Sequence, residues 1–422
     1  MKSSLVAGLT ALLAAFCPPG TLRADEPPGR TAASLLDHAR QSNPEYASMR
    51  HEADAAAERV EPAGALPDPR FRVELMDITR MGEQNPTLLP GRTGSTKYTL
   101  IQELPWFGKR DLKREIAGLE ADGAQGRARG AWSEIAARLK AAHAQRFLLA
   151  GNERITREIL ELTARLERIA QARYAGGLAM QQDVILAQLE QTAMRNDLIM
   201  LENEDGMLRA RINMLLSRPA GAPLADPEAL PPLPAPARLD PVALAERARG
   251  RNPRLFAEEA AIETARKRRE LAYSERYPDF MLGVTPVQYR NRIREWELMV
   301  EFNIPLQQQS RRAMERESEA MLAAAIARRE AVVNEVLSGL AENLSGIEAA
   351  RRTETLVRTS LLPQAELAFH SALASYEHGR ADFAALLEAQ QRIRKARLTE
   401  VKAQSDARVR LAEIERLLGE DL

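Results

Sequence analysis

Along most of this chain apolar residues recur in alternating steps of three and four. Ile155, Ile159, Leu162, Leu166 and Ile169 keep that spacing, as do Met194, Leu198, Leu201, Leu208, Ile212 and Leu215, with Asp205 as one polar interruption. Val333, Leu337, Leu340, Leu344 and Ile347 do the same further on. Such steps lay one apolar stripe along a helix for coiled-coil contact. An amphipathic helix in a soluble bundle would show the same stripe, so length decides. The patterns predict long helices from Lys109 to about Tyr174 and from Ser310 to about Tyr376. At about 1.5 Å per residue each is a rod of roughly 100 Å, several times an ordinary globular helix. Four short stretches instead alternate with period two and read as strands. They are Phe71, Val73 and Leu75 against Arg72 and Glu74; Tyr98 and Leu100 up to Glu103; Phe280 to Thr285; and Glu297 to Phe302.

These elements come in two matching series. Leu35 to Pro44 has a counterpart in Leu244 to Pro253, each ending in Asn-Pro before an Ala/Glu/Arg-rich helix. Each helix ends near a proline-aspartate, Pro67-Asp68 and Pro278-Asp279, and two strands follow. The strand pairs close at Leu104-Pro105 and Ile304-Pro305, and a long helix comes next. The long helices break at Tyr174-Ala175-Gly176-Gly177 and Tyr376-Glu377-His378-Gly379, after which Ala187-Gln188 and Ala389-Gln390 stand in register on returning helices. This is a tandem duplication: a first repeat over 25–217, a proline-rich linker over 218–241 and a second repeat over 242–422. The fold class is mainly α with a small β part. In each half, helices 43–64 and 178–217, or their counterparts, together match one long helix, so two short helices stack end to end beside it.

Composition supports rods. Aromatic residues are 5% and charged residues 28% of the 422, and 59 basic side chains balance 59 acidic ones, which removes the electrostatic case for nucleic-acid binding. Residues 1–24 read as a secretory signal: Lys2, an apolar Leu5–Phe16 too short to span a membrane, and Leu22-Arg23-Ala24 as cleavage site. Cleavage leaves a slightly acidic chain without Cys17, the sole cysteine, and so without disulfides. Cys17 has a second reading as a lipid-bearing N-terminus, although Phe16 before it is bulky.

No apolar run is long enough for a spanning helix, so a membrane role falls to the strands. Four strands cannot close a barrel, and open edges cannot face lipid. Three chains giving four strands each would close a barrel of about twelve, with their helices forming a tube beneath. The alternative is a small soluble β-cap on a helical bundle. Gln102-Glu103-Leu104-Pro105-Trp106-Phe107-Gly108-Lys109-Arg110, the paired Asn-Pro starts, Pro67-Asp68-Pro69 and the paired Tyr-x-x-Gly turns resemble the TolC-like outer membrane efflux family over about residues 31 to 420. The resemblance implies a homotrimeric, twelve-stranded barrel in outer-membrane lipid. It further implies a periplasmic α-helical tunnel, a periplasmic adaptor protein and an inner-membrane efflux pump as partners. No cofactor and no nucleic acid are implied.

The same resemblance assigns sites. Pro105 and Pro305 stand where the chain swings from barrel to tunnel, with Gly108 easing the turn. Tyr174, Gly177, Leu178 and Ala179, with Tyr376, Gly379 and Arg380, stand at the periplasmic tip that meets the adaptor. Asp183 matches a position that pairs with an arginine on the other hairpin, for which Arg380 is the candidate. The family's two pore acids correspond to Ala385 and Glu388; the first departs, leaving Asp382 and Glu388 for a constriction. A ring of carboxylates would favour cations, whereas solvated charges at a helix end would need no function.

Nothing resembles a catalytic centre: His38, His51, His143, His370 and His378 lack ligand spacing, and phosphate loops and nucleophile elbows are missing. The methionines, Met76, Met81, Met180, Met194, Met200, Met207, Met214, Met281 and Met299 among them, read at heptad positions as core filling before they read as soft-metal ligands. The leading reading is a passive duct for heavy-metal cations, the branch that Leu-Pro-Trp-Phe-Gly-Lys-Arg most resembles. Drug efflux or type I protein secretion uses the same duct. A periplasmic coiled-coil adaptor is the reading from another class, and the duplication with its paired strands counts against it.

Overall fold

The computed structural model describes residues 27–79, 86–228 and 230–422; the signal segment, Cys17 and Met81 lie outside the described residues. The first repeat runs α1 (Ala32–Ser42), α2 (Pro44–Glu58), α3 (Val60–Gly64), β1 (Arg70–Met76), β2 (Ser95–Leu104), α4 (Lys109–Ala175) and α5 (Gln181–Leu215). The second runs α6 (Pro241–Arg251), α7 (Pro253–Ser274), β3 (Phe280–Tyr289), β4 (Arg292–Phe302), α8 (Gln308–Leu356), a π-helical turn (Val357–Leu361), α9 (Leu362–Glu377) and α10 (Phe383–Leu418). The fold is mainly α, with four antiparallel strands in the order β1-β2-β3-β4 among the described residues.

The strand order is carried into the helices. Below the sheet α2 and α3 lie against α4, α4 against α7, and α7 against α8; further down α5 packs on α4, α4 on α10, and α10 on α8 and α9. Both Asn-Pro dipeptides are the joints of this stacking. Asn43 Oδ1 accepts from Tyr46 N at 2.9 Å and so caps α2, while its amide donates to Leu215 O at 2.8 Å in the last turn of α5. Asn252 repeats the arrangement, capping α7 through Arg254 N and Leu255 N and donating to Leu417 O at 2.8 Å. One amide side chain thus ends one short helix and starts the next, with proline at the first helical position where its missing N–H costs nothing.

The stripes pack where expected: Ile155, Ile159, Leu166 and Met194 join Phe369, Phe383 and Leu386 in one core along the lower rods. Asp205, the polar interruption, lies 3.3 Å from the buried Arg146. Ser405 and Val401 bring α10 so close to α4 that a Cβ on Gly151 would sit 2.7 Å from Val401 Cγ1. In α8 the buried set is Val332, Val336, Leu340 and Ile347, with Val333, Leu337 and Leu344 half-buried beside it. The linker straps the rods at mid-height, where Arg146 donates to Ala225 O at 2.7 Å and Arg351 to Pro234 O.

Four expectations need correction. The first short helix breaks at Arg59 into α2 and α3. The second long helix is interrupted by the π turn one residue before the α9 start at Leu362, because Pro363 has no N–H to continue the ladder. β3 runs beyond Thr285 to Tyr289: Pro286 interrupts only its ladder to β2, between Lys97↔Val287 and Leu100↔Val284. β4 begins at Arg292, five residues before Glu297.

Candidate functional site

The sheet has two chemically distinct faces. Register puts Phe71 opposite Leu100, Leu100 opposite Val284, and Val284 opposite Leu298. Leu282 and Val300, Phe280 and Phe302, and Pro286 and Trp296 extend this apolar face. On β4 the apolar row Trp296, Leu298, Val300 and Phe302 is more than half exposed at every position. The other face carries Arg70, Arg72 and Glu74 on β1, Lys97, Thr99, Ile101 and Glu103 on β2, and Glu295, Glu297 and Glu301 on β4. Here Thr99, Ile101, Thr285 and Val287 are buried, so this is the concave side. Its three cations are matched: Arg70 with Glu103, Arg72 with Glu74 at 3.4 Å, and Lys97 with Glu297 at 2.8 Å. Glu295 accepts from the Tyr289 hydroxyl at 3.2 Å, and Glu301 adds a further carboxylate. Outside apolar, inside polar and open at both edges is the arrangement of a transmembrane barrel segment, not of a water-borne cap.

At the joint Pro105 follows β2 directly and Gly108 takes φ +84°; a Cβ there would meet no neighbour within 4 Å, so the backbone conformation alone demands glycine. Asp279 binds the joint together: its Oδ1 accepts from Trp106 N at 2.7 Å and from Lys109 Nζ at 3.0 Å. Lys109 is 2% exposed and also reaches Glu275 and Tyr277 O, each at 3.4 Å. Trp106 stacks on Tyr277 with centroids 4.9 Å apart. Pro305 follows β4 by three residues, and no glycine accompanies it; Gln308 begins the helix there. Lys109 and Asp279, which join the two repeats, were not singled out from sequence. Their signal was the Lys of the Gly-Lys-Arg run together with the repeated Pro-Asp.

At the far end both turns share one backbone. Gly177 N bonds Tyr174 O and Leu178 N bonds Arg173 O at 2.8 Å; Gly379 N bonds Tyr376 O and Arg380 N bonds Ser375 O at 2.8 Å. Both glycines have φ +70°, the left-handed end of a Schellman motif. Leu178 is exposed and Ala179 half-buried. Asp183 does not meet Arg380 within the chain: it accepts instead from the Tyr376 hydroxyl at 3.1 Å. The Tyr376 ring lies under Arg173 at 5.0 Å and edge-on to Phe383 at 5.3 Å. Burial, and then the bond to Asp183, push the Tyr376 phenol up to about 12, with Arg173 opposing. Arg173 donates to Glu377 O at 2.6 Å and Leu178 O at 3.3 Å, so it holds both turns. Sequence reasoning missed Arg173, which directly precedes Tyr174 in the chain but whose hold on both turns is set by packing and not by a motif. Asp382 caps α10 through Ala385 N at 2.9 Å, and Glu388 pairs with Arg392 at 2.7 Å. Among the methionines Met194 is buried, but Met76, Met180, Met200, Met207 and Met214 are exposed, which corrects the core-filling expectation for those five.

A chain with a two-faced, open-edged strand quartet above paired helical hairpins has the fold of one protomer of an outer-membrane channel. Residues 35–213 and 244–420, the two repeats, match the model of the outer membrane efflux protein family, and the chain belongs to that family. It is a passive channel protein of the outer membrane with a periplasmic helical tunnel, and not an enzyme. The fold is similar to the outer membrane protein VceC from Vibrio cholerae, with TM-score 0.78, 16% identity, and 92% of this chain and 96% of that one covered. It is similar to the outer-membrane channel OprN at 0.77, with 20% identity and 94% of each chain covered. CusC, described in terms of transmembrane channel formation, aligns at 0.78 with 14% identity and 92% of each chain covered. No curated protein sequence matches the chain.

Proposed function

We propose that three copies close into a twelve-stranded barrel and a helical tunnel that together form the export duct of a tripartite cation-efflux system. One observation carries this reading: among the described residues β1 and β4 are both unpaired edges, and each continues the same two faces. Closing the ring puts every apolar row toward lipid and satisfies every edge N–H and C=O, as a membrane requires. A periplasmic adaptor docks on the tip around Tyr174, Gly177, Leu178, Ala179, Gly379 and Arg380, and an inner-membrane RND-type pump supplies the energy.

Cations are the preferred cargo class, and heavy-metal ions the preferred members of it. On the concave face of the sheet five carboxylates outnumber three cations, each of which is already matched to an acid. At the tip, Asp382 and Glu388 add carboxylates where the tunnel narrows, and the Asp183–Tyr376 link with Arg173 keeps the two hairpins together. Arg380, exposed and outside that link, is left for a neighbouring copy. Reversal potentials in a salt gradient across a planar bilayer test the cargo class. The native channel passes cations in preference to anions. Asp382→Ala with Glu388→Ala weakens that preference, and an unchanged reversal potential removes both residues from the constriction.

A further inference from the structure

One trough on the lower rods carries positive charge that no acid of the chain offsets. Its lower part, about 810 Å³, is walled by Leu148 and Asn152 of α4, Ala193 of α5, and Lys395, Leu398 and Lys402 of α10. Thr399 and Lys402 also line its upper part, about 720 Å³, between α10 and α8. Leu148 stands two residues from Arg146, and Ala349 and Thr353 two residues either side of Arg351. Each therefore lies about 160° round its helix from an arginine that holds a strap. The trough is on the side away from the straps, which is the bore side of a duct whose straps leave the bore clear. Of the eight lysines, Lys97, Lys109, Lys140 and Lys267 are each paired with a carboxylate. Among the described residues Lys395 and Lys402 are paired with none, although they share one face of α10 about 10 Å apart along its axis, with Thr399 between. The acids of the trough lie at its ends: Glu190, which accepts from Gln391 at 3.1 Å, and Asp406 and Glu413 beyond Lys402. Two wall residues each hold a buried atom without a partner, the Arg394 Nε donor and the Asn152 Oδ1 acceptor.

We propose that this trough binds a protonated phosphate group between Lys395 and Lys402. Two ammonium groups on flexible stems can converge on one compact dianion as point charges. Hydrogen phosphate also carries both an acceptor for Arg394 Nε and a donor for Asn152 Oδ1, whereas sulfate, chloride and an ionised carboxylate carry no donor. A buried polar atom left without a bond is costly. A guest that completes both atoms, directly or through one water, is thus preferred over one that completes a single atom. The site is built within one chain and does not depend on ring closure. Within a ring it would recur in each copy, and the seated anion offsets lysine charge that otherwise opposes passing cations.

The test is amine footprinting of the full protein in mild detergent: acetylation of each lysine, read by mass spectrometry, with inorganic phosphate or with sulfate at equal ionic strength. An ammonium held against a dianion gives up its proton less readily and so acetylates more slowly. Phosphate slows Lys395 and Lys402 about threefold or more and leaves Lys113, exposed and likewise unpaired, unchanged; sulfate slows them less. Asn152→Ala brings the protection by phosphate down to that by sulfate. Equal protection of the native protein by both anions makes the trough an unselective basic surface and overturns the proposal, as does protection by neither. A comparison of inorganic phosphate with glycerol 3-phosphate tells the free ion from a phosphate ester, the stronger protection marking the source. Lys395→Gln with Lys402→Gln checks the binding independently: phosphate raises the unfolding temperature of the native protein and not that of the variant. An equal rise in both places the ion elsewhere and overturns the site. None of these readings needs three copies or an ion current, so their failure leaves the ring standing, and a failed ring leaves them standing.

Discussion

Tyr174 and Tyr376 occupy the same place in two copies of one turn, with the same pair of closing hydrogen bonds and the same left-handed glycine. Tyr174 is 48% exposed, whereas Tyr376 is 3% exposed, roofed by Arg173 and bonded to Asp183. The acid explains the difference. Six residues after Gly177 stands Asp183; six after Gly379 stands Ala385, which has nothing to accept a phenol proton. The duplication supplied two equivalent turns, and one carboxylate made the second of them a latch between hairpins. The joint differs in the same way. Gly108-Lys109 locks the first repeat onto Asp279 of the second, while Gln308-Gln309 at the matching place makes no such link.

Breaking the joint has the largest expected effect. Lys109→Ala leaves Asp279 and Glu275 facing each other without their shared cation, and costs about 3 kcal/mol, toward the low end for a broken buried pair because both acids are partly exposed. Gln309→Ala, at the exposed equivalent, changes stability by less than about 0.5 kcal/mol. Thermal unfolding in detergent compares the two. Next comes the latch. Tyr376→Phe removes a hydrogen bond to a carboxylate, about 1.5 to 2 kcal/mol, and so shifts a closed tip toward open by about tenfold or more. Tyr174→Phe shifts it by less than twofold. Single-channel conductance reads both, and equal responses would dissolve the contrast between the turns.

Smaller effects separate the long helices and the straps. Pro363→Ala restores a ladder hydrogen bond and removes the cause of the π turn. Amide exchange across 357–367 then slows about tenfold, toward that of the unbroken α4, as hydrogen-exchange mass spectrometry can follow. The smallest concerns acid. Burial, then the Arg146 charge, lower the His143 imidazole against its bond to Arg30 O. A histidine depressed in the folded state contributes stability above about pH 6.5, its unfolded value, and loses it as pH falls toward the folded value. The first strap therefore loosens as pH falls below about 6.5, and His143→Gln flattens that slope. The second strap, held by Arg351 on Pro234 O, keeps its strength over the same range.

Much of the architecture was legible because rods and strands differ in period and because each landmark appears twice. The stripe of α4 and the hinges at Asn43 and Asn252 needed only local sequence. Strand ends were harder: Pro286 reads as a stop, but its missing N–H interrupts one ladder while the ladder to β4 continues through it. The Met200–Met214 row was read as core because spacing gives a face but not the neighbour that covers it. The tip was least legible. Asp183 could be named from position, but its partner could not, since Tyr376 and Arg380 lie within one turn of each other and only packing chooses between them.

The claim that one chain is a third of a pore is met most directly by measuring mass and conductance on the same preparation. Multi-angle scattering of the detergent-extracted protein, corrected for bound detergent, should give three copies, and the same fraction should produce stepwise ion currents in a planar bilayer. A single-copy mass with no current steps would contradict the account.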